Sequence, residues 1–195
     1  MSFNPFARRG GDPHVLAVSM TGVKLRDRVA FIGAPVPARI AAIAAKVGIS
    51  GHAAAVVPDE RAAARVNQAA ANAGVLVETD VADVKRLPYN DGDFDLAILD
   101  DTGAFVEQLS GDERGSLARE VARILRPGGR VVVLGGGGPT GVVKLLSKVP
   151  ASPLVLSGDM NALLAGNGFG IVRTLAEREG LVFVEGLKPR TPVTP

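Results

Sequence analysis

Two periodicities alternate along this chain. Residues 28–32 open on Arg28 and run apolar to a break at Gly33, and residues 37–47 then set Ile40, Ile43, Ala44 and Val47 at helical spacing ahead of Gly48. That reads as a first strand, a tight turn and a helix. The pattern recurs as a buried strand at 52–57 and a helix that opens with Asp59 and Glu60 in its first turn, runs to about Ala73 and stops at Gly74. Strands at 75–79 and 94–99 follow, the second ending in Asp100 and Asp101. Ser110 or Asp112 caps another helix through Leu125, the turn residues Arg126-Pro127-Gly128-Gly129 stop it, and the valines of 130–134 make a strand. A short helix near the start closes at Gly22, another spans about 158–165, and 171–176 with 181–186 suit a terminal antiparallel hairpin. Strands alternating with helices for most of the length predict an α/β fold, a mostly parallel sheet with helices on both faces. In such a sheet the turn at Gly33 lies at the carboxyl edge, where these folds bind ligands.

Composition narrows the partners. A chain of 195 residues suits a single domain with a substantial core, residues 1–12 reading as a flexible arm and 187–195 as a frayed tail. The absence of cysteine removes disulfides, thiol nucleophiles and thiolate-bound metals, and no metal site is expected. A formal charge of +2, one tyrosine and no tryptophan argue against nucleic acid. No apolar run approaches the roughly 20 residues of a membrane span. Arg8 and Arg9 are followed by no leader-like apolar segment, so the cytoplasm is the expected compartment. His14, near a helix start, reads better as a surface or capping residue than as a ligand.

The segment Leu87-Pro88-Tyr89-Asn90-Asp91-Gly92-Asp93-Phe94-Asp95-Leu96, with Ala122-Arg123-Ile124-Leu125-Arg126-Pro127-Gly128-Gly129-Arg130-Val131-Val132-Val133 after it, resembles class I S-adenosylmethionine-dependent methyltransferases of the small-molecule type. The resemblance covers roughly 13–186 and implies a Rossmann-like methyltransferase fold, seven-stranded, with S-adenosylmethionine as cofactor. It implies four cofactor positions. The first is an acid followed by Gly-x-Gly-x-Gly, which here falls on Phe31, Gly33, Pro35 and Pro37, so that Gly33 alone keeps the pattern, with Ala34 beside it. Proline adds a ring, fixes φ and deletes an N–H where the family gives its cofactor open backbone. The second, an acid for the ribose hydroxyls, falls on Val57, with Asp59 two residues on as a substitute or as part of the helix start. The third, near the adenine amino group, falls on Asp83, which equally suits a loop turn. At the fourth, Asp100 and Asp101 face the substrate as weak catalytic candidates or form a turn and cap pair.

Four departures concentrated in one pocket predict weak or lost cofactor binding. Two functions stand side by side: a methyltransferase acting on a small molecule, and a non-catalytic protein of the same fold that serves as partner subunit or binds another ligand, with homo- or hetero-oligomers open to either. A nicotinamide oxidoreductase is disfavoured, since the turn has one of three required glycines. The glycine-rich stretch 135–141 fits neither a phosphate loop nor a dinucleotide fingerprint and reads as a connection or lid at the mouth of the site.

Overall fold

The computed structural model describes residues 14–137 and 151–190. A helix, α1 (Val15–Thr21), leads into alternating elements: β1 (Arg28–Ile32), α2 (Pro37–Val47), β2 (His52–Val57), α3 (Glu60–Ala73), β3 (Glu78–Val81), β4 (Phe94–Asp101), α4 (Gly111–Ile124) and β5 (Leu125–Gly136). Two short helices, α5 (Pro153–Leu156) and α6 (Asp159–Ala165), precede the hairpin of β6 (Ile171–Arg178) and β7 (Leu181–Leu187). The seven strands lie in the order β3-β2-β1-β4-β5-β7-β6. β1 to β5 are mutually parallel, and β7 enters antiparallel between β5 and β6. The order reverses between β1 and β4, and ligands of open parallel sheets bind at the carboxyl ends of the strands beside such a reversal.

Strand alternation splits the core in two. Ala30, Ile32, Val56, Leu99, Val131 and Val133 face α4, α5 and α6, whereas Val29, Phe31, Ala55, Val57, Ile98 and Val132 face α1, α2 and α3. Because both faces are covered, the central strands read as unbroken apolar runs rather than as polar and apolar alternation. Helix ends follow local chemistry. Asp59 Oδ1 accepts from the Ala62 N–H at 2.7 Å, Ser110 and Glu113 form a reciprocal capping box, and left-handed Gly22 and Gly74 close α1 and α3.

Several boundaries differ from expectation, β6 among them, which runs on to Arg178. β3 begins at Glu78 rather than Val75. Val75 instead continues the α3 exit, its N–H bonding to Ala70 O, and Leu76 points to solvent. An edge strand pairs on one side only, so polar Glu78 and Asp80 serve as well as valines. β5 starts at Leu125, directly from α4, because the Arg126-Pro127-Gly128-Gly129 turn passes through the sheet as an irregularity opposite Phe94 to Leu96. At its other end β5 includes Gly135 and Gly136, so the glycine loop starts later than expected, and 138–141 lie outside the described residues. The tail also holds further than expected: Lys188 N–H bonds to Gly129 O and Lys188 O accepts from Gly128 N–H. Residues 1–12 and 191–195 lie outside the described residues.

Gly51 sets the entry to β2. A Cβ there would lie 2.7 Å from Asp27 O and 2.9 Å from Val47 O, backbone atoms that cannot yield. Gly51→Ala is expected to lower stability by about 1–3 kcal/mol in chemical denaturation.

Candidate functional site

The carboxyl ends of β1, β2 and β4 meet below the loops that follow them. At the end of β1, Phe31 is 1% exposed and packs among α2 and α3 side chains. Burial of a phenylalanine there contributes about 1.5–3 kcal/mol, so this position serves the core. Gly33 adopts φ +79°, and a Cβ added to it would lie 2.8 Å from Phe105 Cε1 and 2.9 Å from Asp100 O. The glycine therefore answers a left-handed backbone and the close approach of the loop after β4. Ala34 is buried against the α2 face. Pro35 lies under Gly103, where a Cβ would sit 3.3 Å from the proline Cβ, and Pro37 is the first residue of α2. Thus the β1 turn and the β4 loop touch at two places, Gly33 with Phe105 and Pro35 with Gly103.

A buried ion pair fastens the same two segments. Arg39, in the first turn of α2, donates from Nη1 to Asp100 Oδ2 at 2.7 Å and to Thr102 Oγ1 at 3.2 Å. Both charged side chains are nearly inaccessible, at 8% and 5% exposure. The other Asp100 oxygen, Oδ1, accepts from the Thr102 hydroxyl at 2.6 Å and the Thr102 N–H at 3.1 Å. Asp100 is therefore saturated by its own framework, which makes it a fastening rather than a free base. Arg39 Nε is buried without a partner.

Asp101 behaves differently. Its Oδ1 accepts from the Val106 N–H at 2.9 Å, while its backbone oxygen accepts from Ser152 Oγ at 2.7 Å and the Ala104 N–H at 2.8 Å. Ser152 Oγ in turn accepts from the Gly136 N–H, tying β4, β5 and the start of α5 together. Burial pushes the Asp101 carboxyl up to about 6, with Asp100 and Glu107 adding to the rise and the Val106 and Ser152 bonds opposing it. A carboxyl poised there suits proton transfer near neutral pH, yet at 1% exposure it reaches a reactant only if the 102–105 loop is displaced. That loop carries a left-handed non-glycine residue, Ala104 at φ +54°.

The β2 and β3 ends hold the other two positions. Val57 is fully buried in the α1, α2 and α3 core and offers no acceptor. Asp59 is an N-cap, one residue before the helical turn in which the sequence places it, with one carboxylate oxygen engaged by Ala62. Asp83 is exposed and accepts from the Lys85 N–H at 2.9 Å, an Asx turn, and pairs with Lys85 Nζ at 3.2 Å. The Lys85 amide bond leads the effects that hold its carboxyl below the usual range. Asp83 stands on the rim of a cavity of about 470 Å3 walled by Pro58, Val81, Ala82, Val84 and Phe105. The fold thus brings Gly33, Asp100 and Phe105 together and sets Asp83 on the rim of a cavity walled in part by Phe105, whereas Asp59 stays committed to its helix. Sequence reasoning missed Arg39, Thr102, Phe105 and Ser152. A lone arginine near the start of an alanine-rich helix was a readable sign; nothing local marked the rest.

A model of the methyltransferase domain matches residues 33–133, just over half of the chain. The chain belongs to that family. No curated protein matches it by sequence. Among solved structures, a SAM-dependent methyltransferase from Aquifex aeolicus superposes with a TM-score of 0.73 at 16% identity, covering 90% of this chain and 89% of that one. A SAM-dependent O-methyltransferase from Thermotoga maritima gives 0.66 at 15% identity, with 93% and 66% covered. The [4+2]-cyclase SpnF gives 0.67 at 15% identity, with 91% and 80% covered. These likenesses confirm the Rossmann-like methyltransferase fold. They leave the chemistry to the cleft, since one neighbour is a cyclase.

Arg39→Ala is expected to destabilise the protein by about 3–5 kcal/mol, because it strands a buried carboxylate, and Arg39→Met with Asp100→Leu to recover most of that loss; a double-mutant cycle by urea denaturation reads the coupling. Asp101 binds its proton more tightly when folded, so its contribution is full below about pH 4 and is lost as pH rises through about 6. Asp101→Asn is accordingly expected to flatten the fall in thermal stability between pH 4 and 6, measured by melting temperature against pH, and to stabilise the protein at pH 8 by about 1–3 kcal/mol.

Proposed function

We propose that this protein is a methyltransferase-family member of the small-molecule type, whose cleft takes the purine end of S-adenosylmethionine and holds its methionine and ribose ends poorly. The observation that carries the reading is the Phe105 ring seated over Gly33, where the resemblance implies protein backbone left open to the cofactor. At the purine end, apolar walls and the Asp83 carboxylate suit a flat ring with an exocyclic amino group. At the ribose end, Val57 gives no hydrogen bond, and a buried hydroxyl left unpaired costs about 1–3 kcal/mol. Whole cofactor and present geometry therefore disagree, and no chemical step is assigned through it. A small-molecule acceptor agrees with a chain of near-balanced charge, and a cytoplasmic setting with its lack of cysteine. No helix among the described residues is long and apolar enough to cross a membrane.

One observation favours the second role, a non-catalytic binder or partner subunit: the buried Arg39 and Asp100 pair fixes the very loop that would have to move. Calorimetric titration of the full chain separates the two. S-adenosylmethionine and adenosine are expected to bind weakly and within about threefold of each other, because the methionine end adds little. Micromolar binding of S-adenosylmethionine alone would refute the weakened site, and silence toward both would favour the non-catalytic role. Phe105→Ala with Pro35→Gly is expected to tighten S-adenosylmethionine about tenfold while leaving adenosine unchanged. Val57→Asp is not a usable companion, since that side chain is fully buried.

A further inference from the structure

At the amino edge of the sheet, away from the cleft, four separate segments converge on a cavity of about 480 Å3. Lys24 and Asp27 come from the loop before β1, Asp95 from the start of β4, Arg126 and Arg130 from β5, and Arg190 from the segment after β7. Four basic and two acidic residues line one wall system, and their excess of two positive charges equals the formal charge of the whole chain. Elsewhere the charges cancel.

The two acids are already engaged by the framework. Asp27 Oδ2 accepts from the Lys24 N–H at 2.8 Å; Asp95 accepts from the Arg28 N–H at 2.8 Å and from Arg126 Nε at 2.5 Å. Arg130 donates from Nη2 to Gly22 O at 2.7 Å and reaches Glu185 at 3.4 Å, while Glu185 lies closer to Arg173, at 2.8 Å. Two guanidinium groups are thereby held in place with donors to spare. The Lys24 ammonium and the Arg190 guanidinium have no hydrogen-bond or ion-pair partner among the described residues. The Arg190 stem lies across Gly128, where a Cβ would sit 3.1 Å from its Cγ, so the glycine gives that side chain its path.

We propose that this cavity is a second binding site, for the phosphate groups of a small anionic ligand, with a diphosphate group as its best fit. The cations come from three segments, the Lys24 and Arg190 heads have no carboxylate partner among the described residues, and planar guanidinium forks match phosphate oxygens two at a time. Arg126 and Arg130 are pre-oriented by Asp95 and Gly22, which lowers the ordering cost of binding. The volume exceeds a single phosphate and admits two, or one with part of its ester. The proposal is independent of whether the opposite edge binds S-adenosylmethionine.

The test is calorimetric titration of the full chain with sodium diphosphate, orthophosphate and a nucleoside diphosphate at fixed ionic strength. Diphosphate is expected to bind saturably at one site, orthophosphate about tenfold more weakly, and Lys24→Ala with Arg190→Ala to weaken diphosphate at least about tenfold. Arg61→Ala with Arg65→Ala removes the same charge from exposed positions of α3 and is expected to leave binding unchanged. A nucleoside diphosphate that displaces diphosphate one for one supports the site and shows that an organic group is tolerated. Equal loss in both double variants, or no saturable binding of diphosphate, would overturn the proposal.

Discussion

The ion pair between Arg39 and Asp100 is the constraint on which the candidate site depends. It joins the first turn of α2 to the carboxyl end of β4 across the point where the sheet order reverses, at 2.7 Å and out of water. A buried pair of this kind is weak evidence of net stability, because two desolvated charges repay little more than they cost. Its strength is conditional: neither partner can leave or turn without stranding the other. The pair therefore acts on shape. It fixes Asp100, Asp100 fixes Thr102 through both hydroxyl and amide, and the short loop beyond has only Gly103 and Ala104 before Phe105 swings over Gly33. The prolines of the β1 turn belong to the same arrangement, since Pro35 fills the space beneath Gly103 and Pro37 starts the helix that carries Arg39.

The fold was legible in the sequence because its signals are local. The largely apolar strand stretches at 28–32, 52–57 and 94–99, glycines at 22, 48 and 74, and the Ser110 cap each name an element without reference to the rest, and each reappears in the structure. Where boundaries slipped, tertiary pairing overrode a local signal. The valines before β3 lost to the register set by β2, and the proline and glycines before β5 became an irregularity inside a strand.

The site was legible only in part. Residue identity at Phe31, Pro35, Pro37 and Val57 was enough to predict a core phenylalanine, a stiff turn and an apolar strand end there, as the structure has them. What meets them was not, because Phe105, Thr102 and Ser152 reach the cleft from segments far along the chain and carry no periodic or motif signal of their own. Asp100 and Asp101 show the limit well. Adjacent in sequence and chemically identical, they face opposite sides of a strand, so one meets Arg39 and the other meets Ser152 and the Val106 amide. One is bound to the Arg39 guanidinium and the other is pushed toward protonation by burial.

The two edges of the sheet are open to change for the same reason. Strand cores bury apolar faces on both sides and tolerate little alteration, whereas loops at either edge meet mainly one another. At the carboxyl edge, a phenylalanine and two prolines occupy space that an open glycine turn leaves to a ligand. At the amino edge, Gly128 does the reverse: lacking a side chain, it admits the Arg190 stem and lets a fourth cation join three others. One edge is filled by side-chain packing, and the other is opened by a glycine. Neither arrangement touches the pairing of β1, β4 and β5, which is set by the strand interiors, so the loops at each edge can vary while the fold stays the same.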